Sequence, residues 1–260
     1  MTVKDIASTI EDFAPLCLQE SYDNAGLQVG DPNRTVNAVM LCLDVTVEVL
    51  EEAKRRQCDM IVSHHPLIFR GLKNLTGADE TQRIVIEALR AGVSIYAAHT
   101  NLDAAWNGVS HEMAHMLDVK GLRALVPSHP QSETGLGVIG DVDPTPKLEF
   151  LRKVKDKFGV KALRYSSQSK AIVVKRVALC GGSGASFIND AIGAGADIYI
   201  TGDVKYHDFA SYGNDIVIAD IGHYESELCS MKIFSRIIRQ QYPQLVVYFS
   251  EDQKSPIAVM

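Results

Sequence analysis

Apolar residues recur at helical spacing over residues 3–13, at Val3, Ile6, Ala7, Ile10 and Phe13. The pattern predicts an amphipathic helix, stopped by Pro15. Residues 21–30 are rich in turn formers and lead into a short strand. Apolar runs at 37–43, 59–63 and 93–98 read as buried strands, and the patterned stretches at 46–57 and 80–91 read as helices. Strand, helix, strand, helix, strand at these lengths predicts a parallel sheet with helices on its faces.

The second half repeats the plan. Residues 175–180, 197–201 and 216–220 read as strands and 185–194 as a helix. A long helix opens at Gly222-His223 and runs to Gln240, before a short strand at 245–249. One unit aligns without gaps: Leu41-Cys42 with Leu179-Cys180, and Asp59 to Ser63 with Asp197 to Thr201, at an offset of 138 (179 minus 41, 197 minus 59). Residues 121–170 connect the halves, with a strand expected at 135–140 and a helix at 145–158. The expected fold is α/β, with two similar halves whose mainly parallel sheets are flanked by helices. The halves are expected to span residues 1–125 and 126–260 and to pack as one compact unit.

Composition narrows the partners. The chain is 46% hydrophobic and 22% charged, which suits an ordinary globular protein and not a disordered one. Its net charge of -6 argues against nonspecific nucleic-acid binding, which needs basic surface to displace counterions. Lys147, Arg152, Lys153, Lys155 and Lys157 cluster, but with Glu149 and Asp156 among them they read as a solvated helix face. The five cysteines are odd in number and none is in C-x-x-C spacing, so reduced, buried thiols in the cytoplasm are expected. Asp5, Glu11 and Asp12 interrupt the first helix, which does not read as a signal peptide. No apolar run approaches the roughly 18 residues of a membrane span.

Open parallel sheets carry their sites at the carboxyl ends of strands. Three polar clusters fall there: His64-His65, His99 to Asp103, and His223 to Glu227. Imidazole and carboxylate are the usual ligands of divalent first-row metals. Adjacent histidines at a strand end are expected to diverge, which suits two ions side by side better than one. His223 and Glu227, four apart on a helix, share a face. Asp103 would bind one ion or bridge two.

Two other motifs compete. His111-Glu112-Met113-Ala114-His115 matches H-E-x-x-H, a helical zinc signature. Its extended form fails, because Asp118 stands where a glycine is needed. Outside that reading, these histidines are expected on an exposed helix face. Gly181-Gly182-Ser183-Gly184 follows a strand and precedes a helix, so it is either a phosphate cradle or a tight turn.

Taken together, Tyr22 to Leu27, Ser63 to Phe69, His99 to Asp103, Thr201 to His207 and Gly222 to Glu227, in that order, resemble the NIF-three-like family. Its bacterial members are often labelled GTP cyclohydrolase I type 2 homologues. The resemblance covers nearly the whole chain. It implies a dinuclear site on His64, His65, Asp103, His223 and Glu227, with Glu227 as the bridge. It also implies two similar α/β halves and a toroidal homohexamer, and it leaves His99 and His207 as proton-transfer or ligand-orienting residues. The expected function is a metal-dependent hydrolase holding two divalent ions (Zn, Fe, Mn, Co or Ni) and acting on a nucleotide or related heterocycle. In a GTP cyclohydrolase, water attacks the purine's five-membered ring and formate leaves. Phosphoester hydrolysis is the enzymatic alternative, and a metal-binding oligomeric scaffold or metal-handling protein without catalysis is the non-enzymatic one.

Overall fold

The computed structural model describes residues 1–260. By its contacts the chain divides into two units. The first is Met1–Ala105 with Ser230–Lys254, and the second is Trp106–Cys229 with Ser255–Met260.

In the first unit, helix α1 (Val3–Phe13) starts at a capping box in which Thr2 and Asp5 satisfy each other's backbone amides. Strands β1 (Gly26–Val29), β2 (Ala38–Cys42), β3 (Met60–Ser63) and β4 (Ser94–Ala97) alternate with helices α2 (Val47–Arg55) and α3 (Glu80–Ala91), and the short helix α4 (Thr100–Ala104) follows β4. The sheet order is β1-β4-β3-β2, completed by the closing strand Val246–Phe249 beside β2. β2, β3, β4 and the closing strand are parallel, while β1 runs antiparallel to β4. Every residue of β2, β3 and β4 is buried, which is why these strands read as continuous apolar runs. Glu52, buried on α2, fixes the end of the closing strand. Its carboxylate accepts from Ser250 Oγ at 2.6 Å and Asp252 N at 3.1 Å, and pairs with Arg56 Nε at 2.9 Å.

The second unit contains α5 (Val109–Met116), β5 (Lys120–Pro127), β6 (Gly135–Pro146), α6 (Lys147–Lys157), β7 (Arg164–Tyr165), β8 (Val173–Leu179), α7 (Ile188–Gly193), β9 (Ile198–Thr201), α8 (Tyr206–Tyr212), β10 (Val217–Asp220) and α9 (His223–Glu227). Its sheet order is β5-β6-β8-β9-β10-β7. β8, β9 and β10 are parallel, and the other three strands join antiparallel. The β5–β6 ribbon is longer than the strand expected at 135–140. It runs on through Asp141 to Thr145, where the β6–β8 register shifts, and ends at Pro146, so the helix expected at 145–158 begins at Lys147. This ribbon carries residues 120–127 into the second unit. Pairing of the closing strand with β2 carries residues 230–254 into the first. The division by contacts therefore falls differently from a single break at residue 125.

The internal repeat is structural. Val39 pairs with Met60 and Val177 with Ile198, each partner shifted by 138 residues (177 minus 39, 198 minus 60). The Asp59 carboxylate accepts from Asn37 N at 2.8 Å, and the Asp197 carboxylate from Lys175 N at 2.8 Å, again at that shift. The order β1-β4-β3-β2 is matched by β7-β10-β9-β8, with the antiparallel strand at the same edge. No helix is long and apolar enough to cross a membrane. Of the five cysteines only Cys17 is exposed, and the other four are buried.

Candidate metal centre

In the first unit, β3 ends at Ser63, and the two histidines follow while still bonded to the end of β2: His64 N to Cys42 O and His65 N to Leu43 O. Ser63 Oγ donates to His65 O at 2.8 Å and holds the turn. The rings do not splay as they would on an extended strand. Their centroids are 5.2 Å apart and tilted 38°, and each offers a ring nitrogen within 4.8 Å of the other. Asp103 comes from α4, where the buried Asn101 anchors the turn by donating to Ala14 O at 2.7 Å. Asp103 Oδ1 lies 3.6 Å from His64 Nε2.

A shared orientation runs through these histidines. His64 Nδ1 lies 2.9 Å from Ala98 O, His65 Nδ1 2.7 Å from Asp44 Oδ1, and His99 Nδ1 2.8 Å from Asp23 Oδ1. Carbonyl and carboxylate oxygens only accept, so each Nδ1 carries the hydrogen and a neutral ring keeps its lone pair on Nε2. For His64 that lone pair faces the Asp103 carboxylate. An imidazole held from behind by an oxygen in this way is oriented as metal-binding histidines commonly are.

Asp23 is held firmly. Burial works to raise its pKa, but hydrogen bonds from His99 and Thr100, with the His99 charge, outweigh it and keep the carboxyl well below the usual range. It accepts from Thr100 N at 3.0 Å as well as from the Thr100 hydroxyl. His99 is therefore clamped with its ring against both His64 (5.4 Å) and His65 (5.5 Å).

The second unit positions its candidate ligands differently. His223 opens α9, and Glu227 stands one turn later on the same face, with His223 Nε2 3.0 Å from Glu227 Oε2. His223 Nδ1 lies 2.8 Å from Asp203 Oδ2, repeating the pattern of the first unit. Asp203 follows β9 in a left-handed conformation, φ +53°. Gly182, also left-handed at φ +62°, brings the loop after β8 against these two side chains, since a Cβ there would stand 2.1 Å from Glu227 Oε1. A cavity of about 620 Å³ reaches His223 and Asp203, with Lys161, Arg164 and Tyr224 also on its wall.

The glycine-rich loop is a turn, not a phosphate cradle. Its amides are engaged by the protein's own hydroxyls: Gly181 N with Ser110, Gly182 N with Ser226 at 2.9 Å, and Gly184 N with Thr201 at 2.9 Å. The H-E-x-x-H helix does not present two ligands on one face. His115 is exposed, whereas His111 is buried with its ring 4.4 Å from that of Trp106 and with a hydrogen bond to neither ring nitrogen. Burial, with the His115 charge adding to it, pushes the His111 pKa down to about 4. His207 is exposed on α8, its ring 5.3 Å from that of Tyr206.

The carboxylates that orient the histidines (Asp23, Asp44 and Asp203) were not anticipated from sequence. Asp44 and Asp203 each lie two residues past a strand end, and that position is the signal that would have found them.

Comparison with known proteins agrees with this architecture. The family described as Duf34/NIF3 (NGG1p interacting factor 3) matches residues 1–256. A Clostridium perfringens protein named GTP cyclohydrolase 1 type 2 homolog is 35% identical over 259 residues, 98% of each chain. The crystal structure of Staphylococcus aureus protein SA1388 is similar at a TM-score of 0.90 and 25% identity, covering 100% of this chain and 99% of that one. Reduced HcgD from Methanocaldococcus jannaschii is similar at a TM-score of 0.82 and 27% identity, covering 96% and 98%. With a family match over almost the whole length and this level of identity to its relatives, the chain belongs to the Duf34/NIF3 family.

Proposed function

We propose that the protein binds two divalent metal ions through His64, His65 and Asp103 of the first unit and His223 and Glu227 of the second, and uses them to hydrolyse a nucleotide or related heterocycle. The observation that carries this reading is the common orientation of the imidazoles, each with Nδ1 held by an oxygen, so that Nε2 is the nitrogen a metal would use. The nitrogen and oxygen donors suit zinc, iron, manganese, cobalt or nickel. Glu227 is the ligand assigned to both ions. Bound there, they would supply Lewis acidity, acidifying a water and stabilising negative charge.

His99 is the proton carrier in this reading. Its Nδ1–H is fixed by the ionised Asp23, so Nε2 takes the proton from the attacking water and returns it to the leaving group. His207 is the other candidate, and His207→Ala beside His99→Ala separates the two. The cavity at His223 has room for a small molecule, with Lys161 and Arg164 on its wall to meet an anionic group. The relatives' name makes GTP the first substrate to test. Assembly into a homohexamer is part of the proposal, tested by native mass.

Elemental analysis of metal per chain tests the centre. The expected result is about two ions in the wild type, sharply fewer in His65→Ala and Glu227→Ala, and no change in His111→Ala. Loss of metal in His111→Ala alone would place the site on α5 and end this reading. Turnover of a nucleotide panel with added manganese, iron or zinc tests the hydrolase. Metal binding with no turnover on any member would leave a scaffold.

A further inference from the structure

The apolar run Leu67-Ile68-Phe69 splits in an informative way. Leu67 and Ile68 turn in and pack against the buried core of the first unit, whereas Phe69 stays 44% exposed. Tyr22 lies beside it, 62% exposed, with ring centroids 6.4 Å apart. Phe69 in turn meets His99 edge-on at 6.2 Å, and His99 meets His64 and His65 at 5.4 and 5.5 Å. Side-chain exposure falls along this row from the aromatic pair to His99 at 18% and His64 at 0%. The rings thus form a ramp from solvent to the first unit's ligands.

The ramp is held rigid from below. Asn24 Nδ2 donates to Ile68 O at 2.5 Å, Ile68 N donates to Gln28 Oε1 at 2.9 Å, and Gln28 Nε2 donates to Asn24 O at 2.6 Å. This closed circuit ties the loop bearing Tyr22 to the loop bearing Phe69 and holds the backbone beneath both rings. Exposed aromatic surface fixed beside polar ligands is unfavourable to leave in water and well suited to a flat π-system.

We infer that Phe69 forms a stacking platform for the planar heterocycle of the substrate, with Tyr22, tilted 60° to it, as a side wall, delivering the heterocycle's edge to His99. The inference rests on the metal-dependent reading above and narrows its substrate to compounds with a flat aromatic ring.

The test is calorimetric titration of the metal-loaded protein with guanosine monophosphate and with ribose 5-phosphate, which lacks the ring. Metal content and native mass are measured on the same samples. The nucleotide is expected to bind about tenfold tighter than the sugar phosphate, the scale of one base stacked on one aromatic ring. Phe69→Leu should remove most of that difference and Tyr22→Leu a smaller part, both with metal content unchanged, and Phe69→Trp should keep it. Equal binding of the two probes, binding of neither, or full discrimination in Phe69→Leu would overturn the platform while leaving the metal centre standing. Loss of metal or a changed native mass in Phe69→Leu would also overturn it, by showing a structural or subunit-contact role. A wild type that holds no metal would instead end the reading on which the inference rests.

Discussion

The two units place functional side chains on the same framework by opposite means. In the first, histidines stand directly after β3 and two residues past β4, and the backbone beneath them is held by side chains such as Ser63 and Asn101. In the second, the positions related to His64 and His65 by the shift of 138 are Gly202 and Asp203, and the candidate ligands His223 and Glu227 stand on the helix after β10. Asp203 is not lost to the site. It becomes the oxygen that holds His223. Glycine then takes on a different task, since Gly182 leaves the space that Glu227 fills. A duplicated scaffold can thus keep its strand register while histidine and supporting carboxylate stand at different positions in the two halves.

Crowding the second unit should break this contrast most strongly. Gly182→Val removes no ligand, but it puts a branched side chain into the Glu227 carboxylate and a β-branched residue at positive φ. We expect metal affinity to fall by about a hundredfold or more and stability by about 1–2 kcal/mol, read by metal titration and thermal melting. Retained affinity would mean that Glu227 is not a ligand.

Acid should affect the second unit before the first. His111 binds its proton near pH 6.5 when unfolded and near 4 when folded, so the unfolded chain gains protons first as pH falls. The stability present above pH 6.5 is lost between 6.5 and 4, by about 3 kcal/mol. Denaturant melts followed through Trp106 fluorescence should show this slope, and His111→Phe should flatten it. A slope unchanged in that variant would remove His111 from the account.

The finest comparison is between the two supporting carboxylates. Asp44→Asn and Asp203→Asn each keep the shape but weaken the hold on one imidazole, and each should cost about tenfold in metal affinity. The two effects should be comparable if the exchange of roles between the halves is complete. An effect from only one of them would show that one histidine is oriented by its packing instead.

Much of this was legible in the sequence for a physical reason. Buried parallel strands must be apolar throughout, so β2, β3, β4 and β9 announced themselves, and the repeat between them set a register that the structure keeps. The His64-His65 and His223–Glu227 clusters were visible because strand ends and one-turn helical spacing are local properties. What escaped depends on contacts far apart in the chain. Asp23 meets His99 across 76 positions, which no local pattern encodes. His111 looked like a surface residue because its spacing to His115 is helical, whereas tertiary packing against Trp106 buries one and not the other. The ribbon of β5 and β6 escaped because Asp141 to Thr145 has the composition of a turn.

The closing strand has a consequence for synthesis on the ribosome. β10 and its neighbours are complete once Asp220 has emerged, but β2 waits for Val246–Phe249 to cover its outer edge. Until then the segment Ala38–Cys42, apolar throughout, presents an unpaired edge that any other extended chain can join. The Glu52 carboxylate, already in place on α2, waits to receive Ser250 and Asp252, so the last step of folding also latches the end of the strand that ends the exposure.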